Sequence, residues 1–184
     1  MWRTVRAPAA TQYRIARPLH PRSGPHSLAV AMPVFQALDS PSYRPSCDLC
    51  REAGGALVAQ SARWRVIRAE DPAFPAFYRV VWREHVPEWS DLAAADQAAL
   101  MGVVGAVERV LRKALAPTKI NLASLGNVVP HLHWHVIARF DWDSHFPAPV
   151  WAAPAREVVP APVTRLRVSL SELDVRVARA VAGL

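Results

Sequence analysis

The sequence predicts an α+β domain: an antiparallel sheet carrying one long helix, with a shorter helix near the C-terminus. Three observations predict it. Short runs rich in β-branched and aromatic residues are separated by Gly, Pro and polar breaks, which marks strands and turns. One Ala-rich run between the third and fourth of these has apolar residues at helical spacing. The last run, "HWHVIARF" from His133, alternates histidine with apolar residues, so that as a strand it would have one face for a core and one for chemistry.

The elements follow in order. "CDLCREAGG" opens with a CxxC and closes in a turn at Gly54 and Gly55. "ALVAQ" and "RWRVIRAE" read as two short strands joined by Ser61 and Ala62. "DPAFPAF" is a connection, because Pro72 and Pro75 exclude regular structure, and "YRVVWR" alternates as a third strand. Ser90 then fits an N-cap with Asp91 at the positive end of a helix dipole. Leu92, Leu100, Val103, Val104, Val107, Val110 and Leu111 form the apolar stripe, Arg112 and Lys113 suit the last turn, and Pro117 stops the helix. "KINLASLG" and "HWHVIARF" are the last two strands, joined through Gly126, Asn127 and Pro130. A terminal helix is expected from near Ser171, with a face of Leu173, Val177 and Val181 to dock on a partner or on the domain.

The chain of 184 residues is long enough for one well-buried domain with extensions, and 52% hydrophobic and 20% charged residues are those of a globular protein. The expected division is a basic Pro/Arg-rich extension over 1–45, the α+β domain over 46–152 and a tail with a helix over 153–184. Every apolar run is interrupted by Arg, Asp, Glu or Gln, so no membrane span is expected and the protein is placed in the cytoplasm. The net charge of +7 would suit a nucleotide or a nucleic acid. However, Arg3, Arg6, Arg14, Arg17 and Arg22 all precede the first acid, Asp39, so the excess describes the extension and selects no function.

Chemistry concentrates in "NVVPHLHWHVIARF", which holds three of the 7 histidines at alternate positions. On a strand His131, His133 and His135 share one face; on a helix they would scatter. Three explanations compete. Surface histidines would not require a strongly apolar opposite face. A single metal would have to reach histidines whose outer Cα atoms are about 13 Å apart at about 3.3 Å per residue, so one would be left over. In the third, a neutral imidazole attacks phosphorus, making a labile phosphoramidate, while neighbouring groups bind the phosphate oxygens and fix its tautomer. Here His133 attacks, His135 reaches the phosphate and His131 sits behind.

"HLHWHVI" resembles the HφHφHφφ signature of the histidine triad superfamily of nucleotide hydrolases and transferases, where φ is apolar. "CDLC", "YRVVWREHV", the helix after "EWSDL" and "INLASLGN" extend the likeness over about residues 46 to 152, most similar to the bacterial diadenosine-polyphosphate-hydrolase-like branch. The resemblance implies a homodimer, a nucleotide or dinucleoside polyphosphate substrate cleaved at the α-phosphate, and no redox cofactor. It implies His133 as nucleophile, His135 at the phosphate and leaving group, and Asn121 and Asn127 as substrate-binding amides. Two positions depart: a Gly-His pair common at the start of the third strand is Ala76 and Phe77 here, and a phosphate-contacting hydroxyl before the triad is Val128. A catalytically weak nucleotide-binding module is the alternative these departures raise, and repair of adenylylated nucleic-acid ends the one raised by the charge.

Cys47 and Cys50 are the only cysteines. They read as a redox pair, as two buried thiols, or as half of a Cys₂His₂ zinc site completed by His85 and His131. Related triad proteins carry structural zinc on such a set, and the resemblance extends this to Cys47, Cys50, His85 and His131.

Overall fold

A computed structural model describes residues 41–184; most of the expected basic extension lies outside the described residues. A four-residue helix α1 (Asp48–Arg51) precedes β1 (Ala56–Gln60), β2 (Trp64–Arg68) and β3 (Phe77–Trp82). The long helix α2 (Ala94–Leu115) follows, then β4 (Lys119–Ala123), β5 (His133–Arg139) and α3 (Leu170–Val181). The strands form one antiparallel sheet in the order β1-β2-β3-β5-β4. The α+β class, the five strands and both helices are those the sequence predicts.

Alternation divides the sheet into two faces. Trp64 and Val66, Tyr78, Val80 and Trp82, and Val136 and Ala138 point to the side that α2 covers with Leu100, Val103, Val104, Val107 and Leu111. The other side carries Arg65 and Ile67 of β2, Phe77, Arg79 and Val81 of β3, and His133, His135, Ile137 and Arg139 of β5, in register. Because the pleat has a period of two, burying the apolar set under α2 turns the histidines to the opposite face.

Helix α3 buries Leu173, Val177 and Val181 in the same core as α2. Each such aliphatic side chain contributes about 1.5–3 kcal/mol of burial. Asp174 clamps the helix to the sheet: it accepts from Tyr78 Oη at 2.6 Å and from Arg68 Nε at 3.0 and 3.1 Å. The expected docking face is therefore occupied by the domain itself. Its N-cap is Ser169, whose hydroxyl accepts from the Glu172 N–H.

Two local expectations are corrected. Ser90 does not cap α2. Glu88 and Asp91 cap each other across a 3-10 turn at Trp89–Asp91, Leu92 is extended, and α2 starts after Ala93. And although β5 begins at His133 as predicted, His131 does not share its strand face but lies just before the ladder: its own N–H turns back to Val129 O, and the Leu132 N–H bonds Val86 O. The far end of α2 agrees with the sequence: Ala116 turns left-handed at φ 47° immediately before Pro117.

Candidate functional site

His133 and His135 stand side by side on the uncovered sheet face, ring centroids 4.7 Å apart. His133 Nδ1 lies 2.6 Å from the carbonyl oxygen of His131. A carbonyl only accepts, so Nδ1 carries the proton and Nε2 keeps its lone pair. Burial lowers the pKa of His133, against the bond to His131, so the uncharged ring is favoured at neutral pH. His135 is pushed down to about 3 by burial and by its neighbours His133 and Arg79. Its Nδ1 is buried without a hydrogen-bond partner.

These two rings line a cavity of about 580 Å³ together with Leu49, Gly54, Arg79, Asn127 and Trp151. The loop after β4 forms one wall. Gly126, at φ 76°, takes a left-handed turn that other residues rarely adopt, and Asn127 follows it at the cavity. Ser124 Oγ donates to the His133 carbonyl at 3.0 Å, fastening that loop to the start of β5. Val128, 93% exposed, stands on the rim. Trp151 meets His135 edge-on, centroids 5.4 Å apart. The segment leading to it is anchored by Arg139, which is buried and donates to both Asp143 oxygens and to Ala148 O.

Asn121 is placed differently from Asn127. It is in register with Ile137, one step beyond Ala123 and His135, and its Oδ1 accepts from Arg139 Nη1 at 2.7 Å. It does not line the histidine cavity. Phe77, the departure at the start of β3, packs its ring 5.3 Å from that of His135.

His131 is fully buried and faces a second cluster. Its Nε2–H donates to Trp82 O at 2.8 Å, which leaves the Nδ1 lone pair aimed at Cys47 Sγ, 3.6 Å away, and Cys50 Sγ, 3.5 Å away. His85 Nδ1 is 3.4 Å from Cys50 Sγ. The four ligand atoms lie within 4.8 Å of one another. Zinc bonds of about 2.3 Å to sulfur and 2.0–2.1 Å to nitrogen put tetrahedral S···N edges at about 3.6 Å, so the set fits that ion, and the Trp82 carbonyl gives His131 the outer-shell partner a metal-bound imidazole uses. Burial pushes His131 down to about 4, which keeps Nδ1 free to bind. Ser42 Oγ accepts from the His85 N–H at 2.8 Å.

Two arginines at these clusters escaped the sequence reading. Arg65 is 2% exposed and donates to the carbonyls of Leu49, Glu52 and Ala53, holding the CxxC turn on the sheet. Arg79 faces the histidine cavity. In the sequence each looks like an ordinary strand residue; the alternation that faces the histidines names their side of the sheet only once the register is known.

A fold and histidine cluster of this kind define a class, and solved structures share it. A histidine triad protein from Bradyrhizobium japonicum is 27% identical with a TM-score of 0.59, the match covering 77% of this chain and 99% of that one. A histidine triad (HIT) protein from Sinorhizobium meliloti is 29% identical with a TM-score of 0.54, over 72% of this chain and 91% of that one. One from Marinobacter aquaeolei, 23% identical over 70% of this chain and 90% of that one at a TM-score of 0.55, shares the fold. No curated protein matches the chain. The HIT domain model matches residues 51–142, half of the sequence. The chain belongs to the HIT domain family.

Proposed function

We propose that the protein is a nucleotide hydrolase or transferase that cleaves a phosphoanhydride or phosphoramidate at the α-phosphate through a nucleotidyl-His133 intermediate, acting on dinucleoside polyphosphates. The observation that carries this reading is the 2.6 Å bond from His133 Nδ1–H to the His131 carbonyl, which leaves Nε2 unprotonated beside the cavity. Nε2 forms a bond to phosphorus as the bond to the leaving group breaks, P–O in a phosphoanhydride or P–N in a phosphoramidate, the electron pair departing on that oxygen or nitrogen. Water then cleaves the P–Nε2 bond, releasing a nucleoside monophosphate and restoring the imidazole. His135 contacts the phosphate and the leaving group, Asn127 binds substrate from the β4–β5 loop, and Asn121, away from the cavity, steadies through Arg139 the segment that leads to Trp151.

The reading includes a zinc ion held by Cys47, Cys50, His85 and His131. When bound it would be structural, tying the N-terminal turn to the segment whose carbonyl orients His133. The homodimer is supported by the sheet edge at β4, where Leu122 is 39% exposed and Leu125 beyond it 49%. Cytoplasmic location is supported by free thiols facing imidazole nitrogens, a pairing that a reducing compartment preserves. Among the described residues no helix is long and apolar enough to cross a membrane.

Phe77 supports a second reading, a nucleotide-binding module of low catalytic power, because an apolar ring against His135 offers that imidazole no hydrogen bond. Incubation with diadenosine tetraphosphate decides between them. The enzyme reading expects turnover, a nucleotide adduct on His133 by mass spectrometry, and a loss of about 10³-fold or more in His133→Asn. Tight binding with no product, or unchanged turnover in His133→Asn, defeats it.

A further inference from the structure

We infer that Arg79 is the phosphate-binding cation of the site, its guanidinium receiving the non-bridging oxygens of the phosphoryl group that His133 attacks. The inference rests on the nucleotide reading above and adds a residue to it.

Position comes first. Arg79 pairs with His135 across β3 and β5, and the next residue of that β3 face, Val81, pairs with His133. Directly opposed residues of an antiparallel pair share a face, about 4.5–5.5 Å apart at Cβ. Arg79 therefore lies beside His135 and diagonally from the attacking ring of His133. It also borders a second, smaller cavity of about 330 Å³, lined by Gly54, Gly55, Glu70 and Asp71. It thus stands at the boundary between the two spaces a bound substrate can fill.

Charge comes second. Among the described residues that line the histidine cavity, Arg79 is the one permanent cation. The one acid there, Asp48, is paired with Arg51. A neutral imidazole brings no charge to a phosphoryl group, so a displacement at this place requires a cation from elsewhere, and a planar guanidinium matches two phosphate oxygens at once.

The third argument is how little the protein asks of this side chain. Its Nη1 makes a long bond of 3.3 Å to Gly54 O, its Nε is buried without a partner, and its Cζ rests 5.2 Å from the centre of the Phe77 ring. No carboxylate among the described residues lies within ion-pair distance of it. A half-buried guanidinium with unused donors is costly to maintain unless an anion completes it. Phe77, which departs from the family pattern, gives the guanidinium an apolar face to lie on. During the reaction Arg79 neither gives nor takes a proton; it stabilises charge while the P–O bond breaks.

The test uses the full-length protein with Arg79→Met and Arg79→Lys. Turnover of diadenosine tetraphosphate is measured, and calorimetry compares adenosine 5′-monophosphate with adenosine. Arg79→Met is expected to lower kcat/KM by about 10²-fold or more and to weaken the monophosphate by about 10-fold. Adenosine affinity stays at the wild-type value, added guanidinium ion restores part of the turnover, and Arg79→Lys falls between. An unchanged ratio of monophosphate to adenosine affinity with unchanged kcat/KM overturns the proposal. So does loss of both ligands together without guanidinium rescue, which assigns Arg79 a structural role. Wild-type protein that neither binds the monophosphate nor turns over sinks the nucleotide reading itself.

Discussion

If the Cys47–Cys50–His85–His131 cluster holds zinc as proposed, chelation should unfold the protein at lower temperature by a margin that can be worked out beforehand. A ligand that binds only the folded chain stabilises it by about 4.1 kcal/mol when free ligand is a thousand times its Kd. The structure describes residues 41–184, and an unfolding entropy of about 2.1 cal/mol/K per residue makes that about 0.3 kcal/mol per degree. Chelation should therefore lower Tm by about 14 °C. Cys50→Ser removes the sulfur that lies within 3.5 Å of both His85 and His131. Its cost in affinity should reach at least the 100-fold seen for lost outer-shell partners, about 2.7 kcal/mol, or about 9 °C. Thermal unfolding with and without chelator, beside elemental analysis of the purified protein, measures both. A protein that carries no stoichiometric zinc, with a Tm that chelator leaves in place, would show the cluster to be two buried thiols bonded to imidazoles and would refute the reasoning.

Two further expectations concern the frame of the site. Asp143 is 2% exposed and accepts from Arg139 and from the N–H groups of Phe140, His145 and Phe146. Burial alone would raise its pKa, but the Arg139 guanidinium and those N–H groups outweigh it and hold the carboxyl below its ordinary value. A depressed folded value means stabilisation that is complete above the unfolded carboxyl pKa of about 3.9 and lost as pH falls through the folded one. Asp143→Ala strands a buried guanidinium and should cost about 3–5 kcal/mol at pH 7, much of the difference from wild type closing in acid; urea midpoints at both pH values test this, and a cost under about 1 kcal/mol counts against it. Gly55→Ala places a Cβ 2.4 Å from the Arg68 carbonyl oxygen, a backbone atom that cannot step aside, and should cost about 1–3 kcal/mol. Gly102→Ala, with open space around it in α2, should instead stabilise by about 0.5–1 kcal/mol; equal effects of the two substitutions on the urea midpoint would contradict the steric argument.

Much of the fold was legible because its signals are local. "ALVAQ" matches β1 residue for residue, and the stripe from Leu100 to Leu111 matches the buried face of α2. The start of α2 was misread because Ser90 is a good cap residue wherever it stands, while the reciprocal Glu88 and Asp91 bonds that close a separate turn compete with it. Asn127 lines the cavity; Asn121, on the same face as His135 but one register step along it, bonds Arg139 instead.

Alternation in residues 131–136, the short strand runs and the helical stripe were enough by themselves to predict the α+β class and the shared face of His133 and His135, and the CxxC supplied half of a metal cage. Those features depend on chain periodicity, which a list of residues records in full. Which carbonyl orients His133, that His131 turns its Nδ1 to the sulfurs, and that Arg79 and Trp151 stand at the cavity were decided only when strands distant in the chain were set side by side. Strand register and loop closure bring such groups together, and neither is written in the spacing of neighbours along one segment.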